Sequence, residues 1–229
     1  QIEVDKQVTN LDRFELFFPE RRQFFLENAD LFANFGYSTI RPFFSRRIGL
    51  GVPIEFGARL SGSLNKKWRI GAMDMQTKSM DETGLPAQNF AVLALQRRVF
   101  SRSNIRFMFV NKQSLNYNPA MHPGKPVYNA FNRNIGLEYN LASTNNLWTG
   151  KSMFVKSFGP VKNSDDLVHA ANLQYSSKKW LLSWQHEYVG ENYTAEVGYV
   201  PRINYIKLNP KLSYLFFPKG GKILNHGPI

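Results

Sequence analysis

Apolar and polar residues alternate with a period of two along much of the chain. In 135–141 the apolar set is Ile135, Leu137, Tyr139 and Leu141, while Gly136, Glu138 and Asn140 take the other side. In 180–188 one set is Trp180, Leu182, Trp184, His186 and Tyr188, opposed by Leu181, Ser183, Gln185 and Glu187. Phe56, Ala58 and Leu60 likewise oppose Gly57, Arg59 and Ser61. A strand sends successive side chains to opposite sides, so these segments are predicted strands with one greasy and one polar face. From Pro42 onward no stretch has a helical period or a linker composition, and nine to eleven strands are expected.

The breaks between strands alternate in length. Four short polar turns, Asn65-Lys66-Lys67, Ser101-Arg102-Ser103-Asn104, Ser143-Thr144-Asn145-Asn146 and Ser176-Ser177-Lys178-Lys179, recur at intervals of 36, 43 and 33 residues. Between them lie longer Gly/Pro/Asn-rich segments at 77–88, 114–132 and 159–166. Two strands of about ten residues, a tight turn and a longer loop fill that period. Short turns at one end and long loops at the other is the construction of an outer-membrane barrel.

Trp68, Trp148 and Trp180 each open the strand after a short turn. Three indoles at one level suit a membrane-interface girdle, since the ring is apolar but its N–H needs a polar partner. A row of core tryptophans beneath the hairpins of a sandwich is the alternative. The first third differs: residues 14–18 are predicted as a strand, and Pro19-Glu20 opens a short helix reaching Glu27.

Composition narrows the classes. Hydrophobic residues make up 43% and aromatics 14%, too many for a disordered chain. No cysteine is present, so disulfides, zinc thiolates and cysteine nucleophiles are excluded. The net charge of +12 is spread along the chain, which argues against a nucleic-acid patch. It suits solvated charge or contact with membrane lipid and lipopolysaccharide; Lys66-Lys67 and Lys178-Lys179, beside Trp68 and Trp180, invite both readings. No apolar run approaches a membrane-spanning helix, a limit that does not apply to strands. The start at Gln1 and the loop-like end at 225–229 lead us to expect a fragment cut at both ends.

Chemistry is sparse. His122, His169, His186 and His226 show no metal-ligand spacing, and no nucleophile elbow or phosphate loop occurs. Asp81-Glu82 and Asp165-Asp166 are expected to be solvated loop charges, each too few for Ca²⁺. No catalytic residue, metal site or cofactor is expected, and the chain is not expected to be an enzyme. The charges among dense phenylalanines, Glu20, Arg21, Arg22, Glu27, Arg46 and Arg47, are a different matter. In a membrane barrel they must point inward and pair. The expectation is that residues 14–35 pack inside the barrel, with Glu20, Arg21, Arg22 and Glu27 ion-paired to strand residues such as Arg59 or Glu138. The alternative is an amphipathic connector at the periplasmic rim.

One family resemblance stands beside this reading. The stretch Phe17-Phe18-Pro19-Glu20-Arg21-Arg22-Gln23-Phe24-Phe25-Leu26-Glu27-Asn28, with Asp30-Leu31-Phe32 and Phe43-Phe44-Ser45-Arg46-Arg47-Ile48-Gly49, resembles the Bacteroidetes envelope proteins called domain of unknown function 5916. Residues 58–62, 68–71, 186–193 and 196–202 also resemble that family. The resemblance implies an upstream family-nine carbohydrate-binding-like domain, absent from this chain, followed by a C-terminal barrel. It implies no catalytic residue.

The expected fold class is therefore all-β, an antiparallel up-and-down transmembrane β-barrel fragment with a short N-terminal strand/helix segment. Residues 1–40 form the lead-in, as lumen plug or periplasmic rim, and 41–229 the barrel strands, truncated at the C-terminus. The expected function is non-enzymatic, in the bacterial outer membrane, in transport or surface handling of a polar solute such as a glycan. The rivals are a soluble β-domain that binds carbohydrate and an outer-membrane hydrolase with a loop-borne site.

Overall fold

The computed structural model describes residues 17–121 and 123–217. The expected strand at 14–18 therefore lies largely outside the described residues, as do His122, His226 and the loop at 225–229. Ten antiparallel strands form one meandering sheet: β1 (Ile54–Ser63), β2 (Trp68–Thr77), β3 (Gln88–Val99), β4 (Ser103–Ser114), β5 (Phe131–Ala142), β6 (Trp148–Phe158), β7 (Leu167–Ser176), β8 (Trp180–Val189), β9 (Tyr205–Leu208) and β10 (Lys211–Tyr214). All four short turns fall at strand junctions, although Ser103 and Asn104 already belong to β4 and Ser176 to β7, and the long connections join the other end.

The last two strands are halves of one row. β9 pairs with the end of β8 and β10 with its beginning. Asn209 exchanges two backbone hydrogen bonds with Gln185 between them. Pro210 has no N–H to offer the ladder, which explains the interruption. The sheet is open among the described residues: β1 and the β9–β10 row are its edges, and no ladder joins them.

The sheet is strongly staggered. A row of partners runs from Trp68 through Arg97, Ile105, Tyr139, Ser152 and Ala171 to His186. Ser152 lies four residues past Trp148, and His186 six past Trp180. The hairpin tips thus shift by about one residue per strand, the stagger that in a closed barrel goes with a strand tilt of about 36°.

The two faces differ in what covers them. On the open face Leu60 is 68% exposed and Leu137 55%, with Phe154, Leu173, Trp184, Ile206, Leu208 and Leu212 also exposed. The other face is covered by residues 17–53 and by the β8–β9 connection. There Phe25, Leu31, Phe32, Phe35, Ile40, Phe43 and Ile48 share a core with Met73, Phe90, Val92, Met108, Met153, Val155, Val168 and Val189. The covered face is therefore mixed, with apolar residues under the phenylalanines and Asn132, Asn134, Glu138 and Glu187 buried around them. A uniformly polar face, as the alternation in 135–141 implied, holds for β5 but not for β3, which is apolar on both sides.

Residues 17–53 contain two very short helices, α1 (Gln23–Leu26) and α2 (Ala29–Ala33), where one helix to Glu27 was expected. Asn28 interrupts them with a left-handed φ of 46°. Helices this short do not hold themselves in water, so burial of their phenylalanines must hold them. A tight turn follows, in which Tyr37 and Ile40 exchange backbone bonds of 2.9 and 3.1 Å. Gly36 has φ +90° there, and a Cβ on it would lie 2.2 Å from the Ile40 carbonyl oxygen, so only glycine fits.

Candidate functional site

The site is the contact between the inner segment, 17–53, and the covered face of the sheet. Its centre is Glu138 on β5, 1% exposed. The Glu138 carboxylate accepts the Gly36 N–H at 2.7 Å and the Asn140 amide at 2.7 Å. Lys151 from β6 approaches to 3.3 Å and Arg106 from β4 to 3.6 Å. The same two cations donate to the turn: Arg106 to the Asn34 carbonyl at 3.0 Å, Lys151 to the Gly36 carbonyl at 2.7 Å. Tyr37 donates its hydroxyl to the Lys151 carbonyl at 2.9 Å. One buried anion and two cations from three adjacent strands thus grip a single turn of the inner segment.

Phenylalanines fit into notches beside it, at Gly136, two residues before Glu138 on β5, and at Gly71 of β2 on the same cross-strand row. A Cβ on Gly136 would lie 2.8 Å from the Phe35 ring, and one on Gly71 would lie 2.5 Å from Phe32. Each ring occupies the space a β-strand side chain would fill. Further out, Asp30 pairs bidentately with Arg69 of β2 at 2.6 and 3.0 Å.

The β8–β9 connection grips the other end. Glu196 pairs with Lys112 and accepts from Asn129. Asn132 donates to the Thr194 hydroxyl at 2.9 Å and Asn134 to the Thr194 carbonyl at 3.2 Å. Phe44 donates its N–H to the Val197 carbonyl at 2.7 Å, and Phe17, Phe44 and Tyr199 stack together with Arg41 over the Phe17 ring. A separate buried carboxylate, Glu187, accepts from Gln185 and Tyr205, with Lys207 at 3.3 Å.

The charges singled out in the sequence meet differently from the expected pairing. Glu20 pairs with Arg22, two residues away, at 2.7 Å rather than with a strand cation. Arg22 also donates to the Ile48 and Ser45 carbonyls, Arg46 to that of Pro19, and Arg47 to that of Gly198. Arg59 donates to the Phe24 and Glu27 carbonyls, while the Glu27 side chain is exposed. The Arg21 N–H donates to Glu20. Glu138 takes its cations from neighbouring strands. For Arg59 and Arg106 the physical reason is the shortness of α1 and α2, which leaves the Phe24, Glu27 and Asn34 carbonyls for guanidinium donors to satisfy. Arg22, Arg46 and Arg47 serve carbonyls outside both helices in the same way. No residue pattern in the sequence announced this, because a carbonyl acceptor has no sequence signature.

Glu20 also gives a pH dependence. Burial pushes its carboxyl up, but the bonds from Arg22 and Ser45 and the Arg22 charge outweigh that, holding it at about 2 against an ordinary 4.5. The contact therefore stabilises the fold fully above about pH 4.5 and is lost as pH falls through 2. Hydrogen exchange at Ser45–Arg47 should accelerate between those limits in the native protein. In Glu20→Gln that step should vanish; an unchanged step would remove Glu20 as its source.

Elsewhere, Trp68, Trp148 and Trp180 all lie on the open face, partly exposed, at the short-turn end. His169 and His186, which sequence spacing did not join, meet across β7–β8 with ring centres 5.3 Å apart. The hairpin register brings them together, on the open face. Among the described residues no three metal-ligating side chains cluster. Asp165 and Asp166 are not simply solvated, as expected of them. Asp165 accepts from Tyr188 and from the Glu191 N–H, and Asp166 pairs with Lys156 at 2.6 Å. These bonds tie two long connections together at their bases.

No described helix is long and apolar enough to cross a membrane, which says nothing of strands. No curated protein and no solved structure matches the chain. Residues 1–63, which take in the inner segment and β1, match the model of the family described as Domain of unknown function (DUF5916), the same family that residues 17–49 resemble.

Proposed function

We propose that this chain forms part of the wall of an outer-membrane β-barrel together with a plug on its lumen side, and that the barrel is not an enzyme. The observation that carries the reading is the exposed apolar face. Soluble monomers rarely expose contiguous apolar patches beyond a few hundred Å², yet here the exposed apolar residues extend from β1 to β10. From Trp180 to Tyr188 on β8 there are eight residue steps, which at about 3.3 Å each and a tilt near 36° cover about 21 Å of membrane depth, close to the apolar band of such barrels. In lipid both edges must pair with further strands, since an unpaired edge has no partner there.

The role that fits is transport or surface handling of a polar solute such as a glycan. The covered face supports it through Asn132, Asn134, Arg106 and Lys151. The plug supports it as the element that opens or closes the path. A soluble carbohydrate-binding domain would use the same exposed aromatics, Phe154 and Trp184, as stacking platforms.

Leu137→Arg separates the two readings. Facing lipid, the arginine should cost about 2–4 kcal/mol of folding stability in vesicles. Facing water, it should change stability by less than about 0.5 kcal/mol. Outer-membrane fractionation with a mobility shift on boiling accompanies the first outcome. A soluble, unshifted protein accompanies the second and ends the barrel reading.

A further inference from the structure

The two ends of the sheet differ in charge. Lys66, Lys67, Arg98, Arg102, Lys178 and Lys179 all stand exposed at the short-turn end, where Arg97 also lies over the Trp68 ring at 5.2 Å. No Asp or Glu occurs in 64–68, 97–103, 142–148 or 176–180. Among the described residues no ion pair joins any of these cations to a carboxylate. The long-connection end carries both signs: Lys112–Glu196 and Lys156–Asp166 pair there, and Lys78 shares its connection with Asp81 and Glu82.

The same end carries exposed apolar groups. Phe100 is 86% exposed and Leu64 66%, each in a turn beside these cations. The three indoles lie just below, on the open face. A merely solvated charge rim has no use for a bare phenylalanine at its tip. Cations and aromatics interleaved at one level match a bilayer interface, where the ring enters the headgroup zone and the cation meets phosphate.

We infer that the short-turn rim is a binding surface for the phosphodiester headgroups of anionic phospholipids. This rests on the membrane reading above. In barrels the short turns face the periplasm, where the leaflet is phospholipid, so the partner is that leaflet rather than lipopolysaccharide. The rim fixes the protein's depth and direction in the membrane, because only at this end do the exposed cations stand in connections that all lack carboxylates.

The test refolds the full-length polypeptide with vesicles of phosphatidylcholine, of phosphatidylcholine mixed with phosphatidylglycerol, and of phosphatidylcholine mixed with lipopolysaccharide. Insertion is read by mobility on unboiled gels. A cation at an anionic surface is worth about fivefold in partition, so three should be worth about a hundredfold at low salt and less as salt rises. The protein should favour phosphatidylglycerol vesicles by at least about tenfold. Lys66→Gln/Lys67→Gln/Lys178→Gln should lose that preference, and Lys78→Gln/Lys125→Gln/Lys162→Gln, at the opposite end, should keep it. Equal insertion into all vesicles, equal loss in both variants, or a preference for lipopolysaccharide overturns the inference and leaves the barrel standing. Insertion into none of them, with the protein soluble, overturns both.

Discussion

Glu138→Ala should destabilise the folded protein by about 3–5 kcal/mol, the cost of stranding buried charge. The carboxylate is 1% exposed and lies 3.3 Å from Lys151 and 3.6 Å from Arg106. Its removal leaves two cations facing each other across β5 with no anion between them, and leaves the Gly36 N–H without its acceptor. Glu138→Gln should cost less, about 1–3 kcal/mol, since the amide oxygen still accepts that N–H. Chemical unfolding followed by tryptophan emission measures both. Asp81→Ala, in the exposed β2–β3 connection, serves as the surface control and should stay within about 0.5 kcal/mol. Hydrogen exchange should accelerate first at Gly36 and Tyr37, the turn that the cluster holds. An Ala variant as stable as the Asp81 control would mean that the cluster is not what secures the inner segment.

The strands were legible because alternation and turn chemistry are local. Ile135, Leu137 and Tyr139 against Gly136, Glu138 and Asn140 could be assigned to opposite faces with no knowledge of the neighbours. The direction in which each face looks was harder. Nothing in β3 says that Val92 lies in the core while Leu93 looks outward, because both are apolar and the segment is greasy on both sides. The charged residues of the inner segment stood out, since arginines among phenylalanines need partners. Their partners did not, because most are main-chain carbonyls. Glu138 was legible as an inward charge. Its grip on Gly36 spans 102 residues and depends on a register that only the folded sheet defines. The gap between β9 and β10 could have been read from Pro210, a residue with no N–H for the ladder in the middle of an otherwise strand-like run.

Phe35 and Gly136 should behave as a matched pair, each wrong without the other. Phe35 is 2% exposed, and its ring occupies the notch that Gly136 leaves in β5. Phe35→Ala removes the ring and should cost about 3–5 kcal/mol, as for other buried aromatic truncations. Gly136→Leu pushes a side chain into the occupied notch, where the first carbon already meets the Phe35 ring at 2.8 Å and Val155 at 3.1 Å. It should cost about 1–3 kcal/mol by overpacking and should loosen the inner segment from the sheet. In the double variant the new leucine fills the space the ring vacated. The combined loss should therefore fall short of the two single losses together by about 1–3 kcal/mol, the coupling of residues in direct contact. Strict additivity would show that the ring does not sit over Gly136 in solution. Phe32 and Gly71 repeat the arrangement three strands away, on β2, with a closer approach of 2.5 Å, so Gly71→Leu with Phe32→Ala should show the same coupling. If both pairs couple, the inner segment is keyed to the sheet at two points along one cross-strand row, with Glu138 two residues beyond Gly136. Release of the inner segment from the sheet then requires both rings to leave their notches together.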